Sequence, residues 1–303
     1  MERKLEEWGR LLAEPILSTI ACEAFELWKH APPDVARRFS VLVDADPLPG
    51  SNEEMAKATR QGATLLLGLP WELAHDGESY LFQGVRPAQV RRRLRNREAV
   101  APLVTEAPVR VLVVSPRPED AHAGYIDHRV SARPLVEALE ALGEKASEVT
   151  LLGPPTKPAL EAELLRARDA GFPYQVVHFD GHGTYDKKRG IGALCFEHPE
   201  DSDLLARRRT TMVRADELAA VMRAHRVPLV FLEACETARA EDDPTASVAG
   251  QLLAGGVASV VAMSHSVLVE TAKRFVEAFY RELMAGRRIG DAMLAGQHTG
   301  TCQ

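Results

Sequence analysis

Cysteine is scarce in this chain: there are four in 303 residues, Cys22, Cys195, Cys235 and Cys302. No two of them form a C-x-x-C pair, so neither a zinc ribbon nor a thioredoxin-like site is indicated. A disulfide framework does not suit so few thiols in so long a chain. A signal-peptide core is also missing, because the start, "MERKLEEWGRLLAEP", is charged and amphipathic. No apolar run approaches the length of a membrane span. No G-x-S-x-G elbow supports a serine hydrolase, and no P-loop supports nucleotide hydrolysis. Positive charge is not in excess. The net charge of -6 offers nucleic acid no electrostatic footing. The main exception is the basic run "RRRLRNR" (Arg91 to Arg97), which reads as one solvated helix face or loop. The expectation is a soluble cytoplasmic protein with reduced thiols, binding neither nucleic acid nor membrane.

What is present is an alternation of apolar strands and amphipathic helices. Leu5, Trp8, Leu11 and Leu12 recur at helical spacing within Met1 to His30, and "APPD" ends that segment. "FSVLVDAD" (Phe39 to Asp46) reads as a strand. The stretch "TLLLGLPWELAHDGESYLFQG" reads as a short apolar segment, a helical turn at Trp71 to Ala74, an Asp76-Gly77 turn and a strand at Tyr80 to Gln83. From Val109 onward the order is β-α-β-α-β-β-α-β-α-β-α. The β-branched run "VRVLVVSP" is typical of a strand buried on both faces. Such alternation argues for a mostly parallel central sheet with helices on both faces, with ligands bound at the carboxyl ends of the strands. Residues 1–105 are expected to form helices and a subdomain that completes the sheet, and 106–303 the catalytic domain. The last segment, "IGDAMLAGQHTGTCQ", begins like a helix and stops without a cap, as the chain of a larger protein would if cut there.

Two strand ends carry candidate chemistry. "VVHFDGHG" places His182 just past one strand, between two glycines, and "VFLEACETA" places Cys235 just past a later one. In a parallel sheet both open on one rim. A thiolate is a strong nucleophile, and an imidazole serves as its base and then as the acid for the leaving amine. Glycine beside His182 allows close approach of backbone to a substrate carbonyl. The N–H groups of Gly183 and Cys235 are candidates for holding an oxyanion. A histidine followed about 50 residues later by a cysteine is the order of caspase-like peptidases.

These segments, "HFDGHG", "LVFLEACETA", "VAGQLLAGGVASVVAM" and "FVEAFYRELMAG", preceded by "LLLGLPWELAHD", resemble the CHAT family of caspase-like domains, relatives of caspases and separases. The resemblance runs from about Phe39 to Ala295. It implies a caspase-like three-layer α/β sandwich and a cysteine peptidase, with His182 as base, Cys235 as nucleophile and Gly183 as an oxyanion contact. It implies no cofactor and no metal. The partners it implies are a protein or peptide substrate and a sensor or activator that switches on a bacterial effector. The chain departs from the family in two places. "AMSHSV" (Ala262 to Val267), with His265, stands where a tryptophan-containing segment is common, and Glu233 stands where a small residue is common.

Glu233 lies two residues before Cys235, and strand residues two apart face the same way. Its carboxylate is therefore expected in the same cleft as Cys235, and the resemblance implies that this position lies beside the pocket for the substrate residue preceding the cut bond, P1. Asp180, two before His182, is placed similarly on the neighbouring strand. Both favour a basic P1 residue, Arg or Lys. Self-cleavage at Lys187, Lys188 or Arg189, in a cleft-side loop, would suit that preference. Plainer readings stand beside these. Glu233 is otherwise a surface carboxylate or the partner of an arginine such as Arg239, and Glu236 and Thr237 either shape the cleft or start a loop. His178 and His182 have an H-x-x-x-H spacing, yet a strand does not bring them together as a metal pair, so His178 reads as a core or cleft-lining residue. Cys195 and Trp71 read as packing residues. The rival from another class is a caspase-like module that binds a peptide or partner without cutting it.

Overall fold

The computed structural model describes residues 2–19, 22–32, 34–81, 87–95, 107–127, 132–143, 145–186, 191–204, 207–234, 247–262 and 269–300. Cys235, Glu236, Thr237, Arg239, His265 and residues 187–189 lie outside them. The chain opens with α1 (Glu2–Thr19) and α2 (Cys22–Lys29), as the helical spacing predicts. The packed face of α1 is the small one, however. Gly9 and Ala13 are buried, while Trp8 and Leu11 are exposed. A Cβ at Gly9 would run into the Leu73 carbonyl oxygen, and the Gly9 carbonyl accepts from His75 N–H at 3.0 Å. Only glycine lets the helix approach the Trp71–Leu73 turn so closely.

Next come β1 (Arg38–Val43), α3 (Glu53–Gly68), the Trp71–Leu73 turn and β2 (Gln89–Leu94). Asn52 caps α3, its side chain accepting from Met55 N–H at 2.8 Å. Trp71 is buried, and its indole N–H donates to Leu66 O at 2.7 Å. Three results differ from the sequence expectation. Residues 53–68 form a helix where only a short apolar segment was expected. Its face is weakly apolar, so the pattern was faint and the cap was the real signal. The first part of the basic run, Arg91 to Leu94, lies in β2, paired parallel with β1, rather than on a helix face or in a loop. Arg92 is drawn inward by a two-pronged bond to Glu72 and by the carbonyls of Leu67 and Leu69, which neutralises the residue least suited to a strand. Finally, β1 and β2 make their own two-stranded sheet among the described residues, and do not extend the central one.

The central sheet contains β3 (Val109–Val114), β4 (Ser147–Leu151), β5 (Val176–Asp180), β9 (Leu229–Glu233) and β10 (Ser259–Ala262). Its order is β10-β9-β5-β3-β4, and every pairing is parallel. Between these strands run α4 (Ala132–Glu140), α5 (Lys157–Asp169), β6 (Gly183–Asp186), β7 (Ile191–Glu197), β8 (Thr210–Arg214), α6 (Ala215–Ala224) and α7 (Val248–Ala254), with α8 (Val269–Met284) and α9 (Ile289–Gly300) following. One face of the sheet packs on α5, α6 and α7 through residues such as Val114, Val177, Phe179 and Leu232. The other packs on α4, α8 and α9 through Val111, Val113, Val176 and Phe231. The alternation of strand residues between these two layers is why Val111 to Val114 are all buried. The result is the mixed α/β fold with helices on both faces. The "GALCFE" strand is the middle of a separate antiparallel sheet, β6-β7-β8. The last strand of that sheet, β8, ends at Arg214, and α6 begins at the next residue. Among the described residues no helix is long and apolar enough to cross a membrane.

Three carboxylates fasten loops to neighbouring segments and are acidified by doing so. Burial pushes Asp76 up, but Lys29, 2.8 Å away, and the N–H groups of Ser79 and Glu78 outweigh it and bring the group down to about 2. Asp120 reaches about 2 against its burial through Thr210, His122 and Ala123, and Asp201 does so through Arg209. Groups depressed on folding contribute stability that is complete above their unfolded value and is lost as pH falls through the folded one. Stability is therefore expected to decline between pH 3.8 and about 2. Urea unfolding at a series of acid pH values checks this. Asp76→Asn should be less stable at neutral pH and show a flatter acid limb.

Candidate active site

The chain reverses direction across the sheet between β3 and β5: β4 lies on one side of β3, whereas β5, β9 and β10 follow on the other. Crevices in parallel sheets open at such a point, beyond the carboxyl ends of the strands. Here the loop after β3 meets the turn after β5. His182 sits in that turn, partly buried, and its Nε2 lies 2.7 Å from the Gly124 carbonyl oxygen. A carbonyl only accepts, so Nε2 carries the proton and Nδ1 is left as the basic nitrogen. The His182 carbonyl accepts from Cys195 N–H at 3.0 Å, which anchors the residue to β7. Gly181 precedes it where a Cβ would lie 3.0 Å from the Phe179 ring, so a side chain there would need that ring to shift by a few tenths of an ångström.

The loop that supplies Gly124 is itself fastened. Asp120 accepts from the Thr210 N–H at 2.7 Å and hydroxyl at 2.8 Å, and from His122 N–H at 2.8 Å. Arg117 N–H donates to Glu197 at 3.0 Å, and Glu197 is held in turn by Arg208 at 2.6 Å. Nothing in the sequence pattern marked Gly124, Arg117 or Asp120. Their only signal was the polar run "SPRPEDAHAG" after a buried strand, a place where loops carry function.

The strand carrying the second half of the site lies directly beside β5. Asp180 pairs with Glu233 in the register, and Gly181 N–H donates to the Glu233 carbonyl at 3.3 Å. His182 follows Asp180 by two residues, and Cys235 follows Glu233 by two. Gly183 opens β6, paired in register with Leu194.

The two rim carboxylates differ. Asp180 has a side chain only 3% exposed, ion-paired with Arg117 and accepting from the Ser115 hydroxyl at 3.0 Å. Arg117 also donates to the Asp180 carbonyl at 2.7 Å. Glu233 has no arginine or lysine partner among the described residues. One of its oxygens, Oε2, lies 3.1 Å from His178 Nε2, and the side chain remains 14% exposed. His178 is fully buried, stacked at 4.5 Å on Phe231, with Nδ1 2.9 Å from the Tyr280 hydroxyl. It thus lies in the core, turned toward α8, and not beside His182.

Cys195 is fully buried, and burial, helped by the charge of Asp120, pushes its thiol up to about 11. That thiol is inert packing. Among the described residues no group of three or more His, Cys, Asp or Glu side chains could hold a metal ion.

A family model described as "CHAT domain" matches residues 51–300. No curated protein matches the chain.

Proposed function

The chain belongs to the CHAT family, whose domain is related to caspase-like cysteine peptidases, and from that membership we propose that it is a cysteine endopeptidase cutting after a basic residue. The observation that carries the reading is the register of the two inner strands. Asp180 pairs with Glu233, so His182 and Cys235 each stand two residues beyond a paired position on neighbouring strands.

In the proposed reaction His182 Nδ1 takes the proton of the Cys235 thiol as the sulfur attacks the scissile carbonyl. The tetrahedral oxyanion is met by the N–H groups of Gly183 and Cys235. His182 then passes its proton to the leaving amine, and the C–N bond breaks to leave a thioester. Water, deprotonated by the same nitrogen, hydrolyses the thioester and restores the thiol. Gly124 contributes by keeping the imidazole in the tautomer that leaves Nδ1 basic.

The proposed specificity rests on Glu233. A partly desolvated carboxylate without a cationic neighbour among the described residues favours an incoming ammonium or guanidinium. Asp180, already paired with Arg117, is assigned no direct contact with P1. The proposed setting is the one the resemblance implies, a bacterial effector switched on by a sensor or activator.

Fluorogenic peptides with Arg, Lys, Asp and Asn at P1 test this in reducing buffer, with wild type beside Cys235→Ala and Glu233→Gln. Cleavage after Arg or Lys is expected, lost in Cys235→Ala and weakened at least tenfold in Glu233→Gln, consistent with about 1.5–3 kcal/mol for a bond to a charged group. Cleavage after Asp would keep the nucleophile and overturn the pocket. Silence across the panel, with no labelling of Cys235 by a lysyl chloromethyl ketone, would favour the non-cutting binding module.

A further inference from the structure

His178 is the least expected residue of β5. It is a polar side chain with no exposed surface, set in the wall of aromatic side chains that joins the sheet to α8. Its ring stacks on Phe231, its register partner, at 4.5 Å and 11°. Phe231 in turn meets Phe279 edge-on at 5.2 Å. A polar ring is costly in such a place unless both nitrogens are bonded. Both are, and by two different kinds of partner: Tyr280 of α8 at 2.9 Å on Nδ1, and Glu233 at the strand's end at 3.1 Å on Nε2.

The direction of these bonds follows from the partners. Glu233, as a carboxylate, only accepts, so Nε2 carries a proton and donates it. Burial, reinforced by the Glu233 charge, pushes the Tyr280 phenol well above its ordinary value, so Tyr280 remains a donor. Among the described residues His178 Nδ1 is the one acceptor its hydroxyl has. Donation therefore runs one way, from Tyr280 to His178 to Glu233 Oε2, and ends on a charge at the sheet rim. Glu233 Oε1 is left with no bond from any described residue.

We propose that Tyr280 and His178 are positioning residues for substrate specificity, holding Glu233 in one rotamer with Oε1 presented to the cationic end of a P1 Lys or Arg. This rests on the basic-P1 reading. The benefit to the site is pre-organisation: a glutamate at a strand end has several rotamers, and a bound ring removes that freedom before the substrate arrives. The acceptor presented is a single oxygen, since the other is engaged by the imidazole. That arrangement accepts an ammonium as readily as one end of a guanidinium, and does not depend on a two-pronged arginine fork.

Tyr280→Phe tests the inference, because it removes one hydroxyl and keeps the ring in its packing. With peptides bearing Lys or Arg at P1, KM is expected to rise about three- to tenfold with kcat unchanged, the range for losing one neutral hydrogen bond. KM for a peptide with Ala at P1 should not move, which separates positioning from a general loss of structure. A second measurement needs no catalysis. In the full chain labelled with 15N-histidine, His178, identified by the signal lost in His178→Gln, should be protonated at Nε2 and an acceptor at Nδ1. The Nδ1 resonance should move in Tyr280→Phe. A protonated Nδ1 at neutral pH, or unchanged KM and resonance in Tyr280→Phe, overturns the proposal. If wild type cuts after Lys or Arg but Tyr280→Phe leaves KM unaltered, the positioning role alone falls. If the expected tautomer is found in a chain that cuts only after Asp or not at all, the basic-P1 reading falls and takes the positioning role with it.

Discussion

Replacing His182 with alanine is expected to lower kcat for peptide hydrolysis by about 10²- to 10⁴-fold, the usual contribution of a positioned general acid–base. The loss should fall on kcat and leave KM nearly unchanged, because proton transfer is an interaction made in the transition state and not in the bound ground state. Cys235→Ala should leave no activity above background, since no other group replaces the sulfur. His182→Ala should fold normally. The ring is only partly buried, and among the described residues its one side-chain bond is to the Gly124 carbonyl at the edge of the crevice. The backbone anchor of the residue, the bond from Cys195 N–H, does not depend on the ring. Steady-state kinetics with a Lys-P1 peptide, alongside thermal unfolding, check both halves. Full activity in His182→Ala would remove the histidine from the mechanism, and a collapse of stability would make the kinetic loss uninformative about chemistry. Asp120→Ala provides an internal scale. It loosens the loop that holds Gly124 without touching the imidazole, and should give a smaller fall in kcat than His182→Ala.

The second large effect is expected at Asp180, and in stability rather than specificity. Asp180→Ala should cost about 3–5 kcal/mol, the usual loss when one partner of a buried ion pair is removed. Its side chain is 3% exposed and the Arg117 side chain 17%, so the Arg117 guanidinium would be left charged beside the sheet with little access to water. The damage should spread, because Arg117 also links the β3 loop to the Asp180 carbonyl and, through its own N–H, to Glu197. Replacing both members, as in Asp180→Leu with Arg117→Met, should recover much of the loss, because the two desolvation costs disappear together. Glu233→Gln should leave stability within about 0.5 kcal/mol, as for a substitution that keeps shape and still accepts from His178. Urea unfolding of the four proteins, read beside their P1 preference, separates a carboxylate that holds the rim from one that reads substrate. An Asp180→Ala protein of normal stability that had lost its preference for basic P1 would reverse the two assignments.

Much of the fold was legible because hydrophobic periodicity is a local property. The β-branched run at Val109 to Val114 required burial on both faces, and it forms the middle layer. Pro158 suits the first turn of α5, and Thr156 caps that helix, its hydroxyl accepting from Ala159 N–H. The illegible parts depended on partners far away in sequence. The arginines of β2 looked like solvated surface because nothing nearby showed that Glu72 would draw Arg92 inward. The sheet that the "GALCFE" strand joins was not legible, because alternation does not encode a strand's partners, and these are the short antiparallel β6 and β8.

The same division runs through the site. The sequence by itself determined which residue types stand at two strand ends, a histidine between glycines and a cysteine two residues after a glutamate, and it placed them in the order of a known family. Those are local facts of composition and spacing. Only the tertiary structure decided how the rim carboxylates are used. Asp180 and Glu233 look equivalent in sequence, each two residues before a candidate catalytic side chain, and they pair in the register. One meets Arg117 from the β3 loop, and the other meets His178, which α8 holds through Tyr280. The physical reason is that a carboxylate's role depends on the charge and the donors within a few ångströms of it. Those neighbours stand 63 and 55 residues away in the chain, and only folding brings them to the two carboxylates.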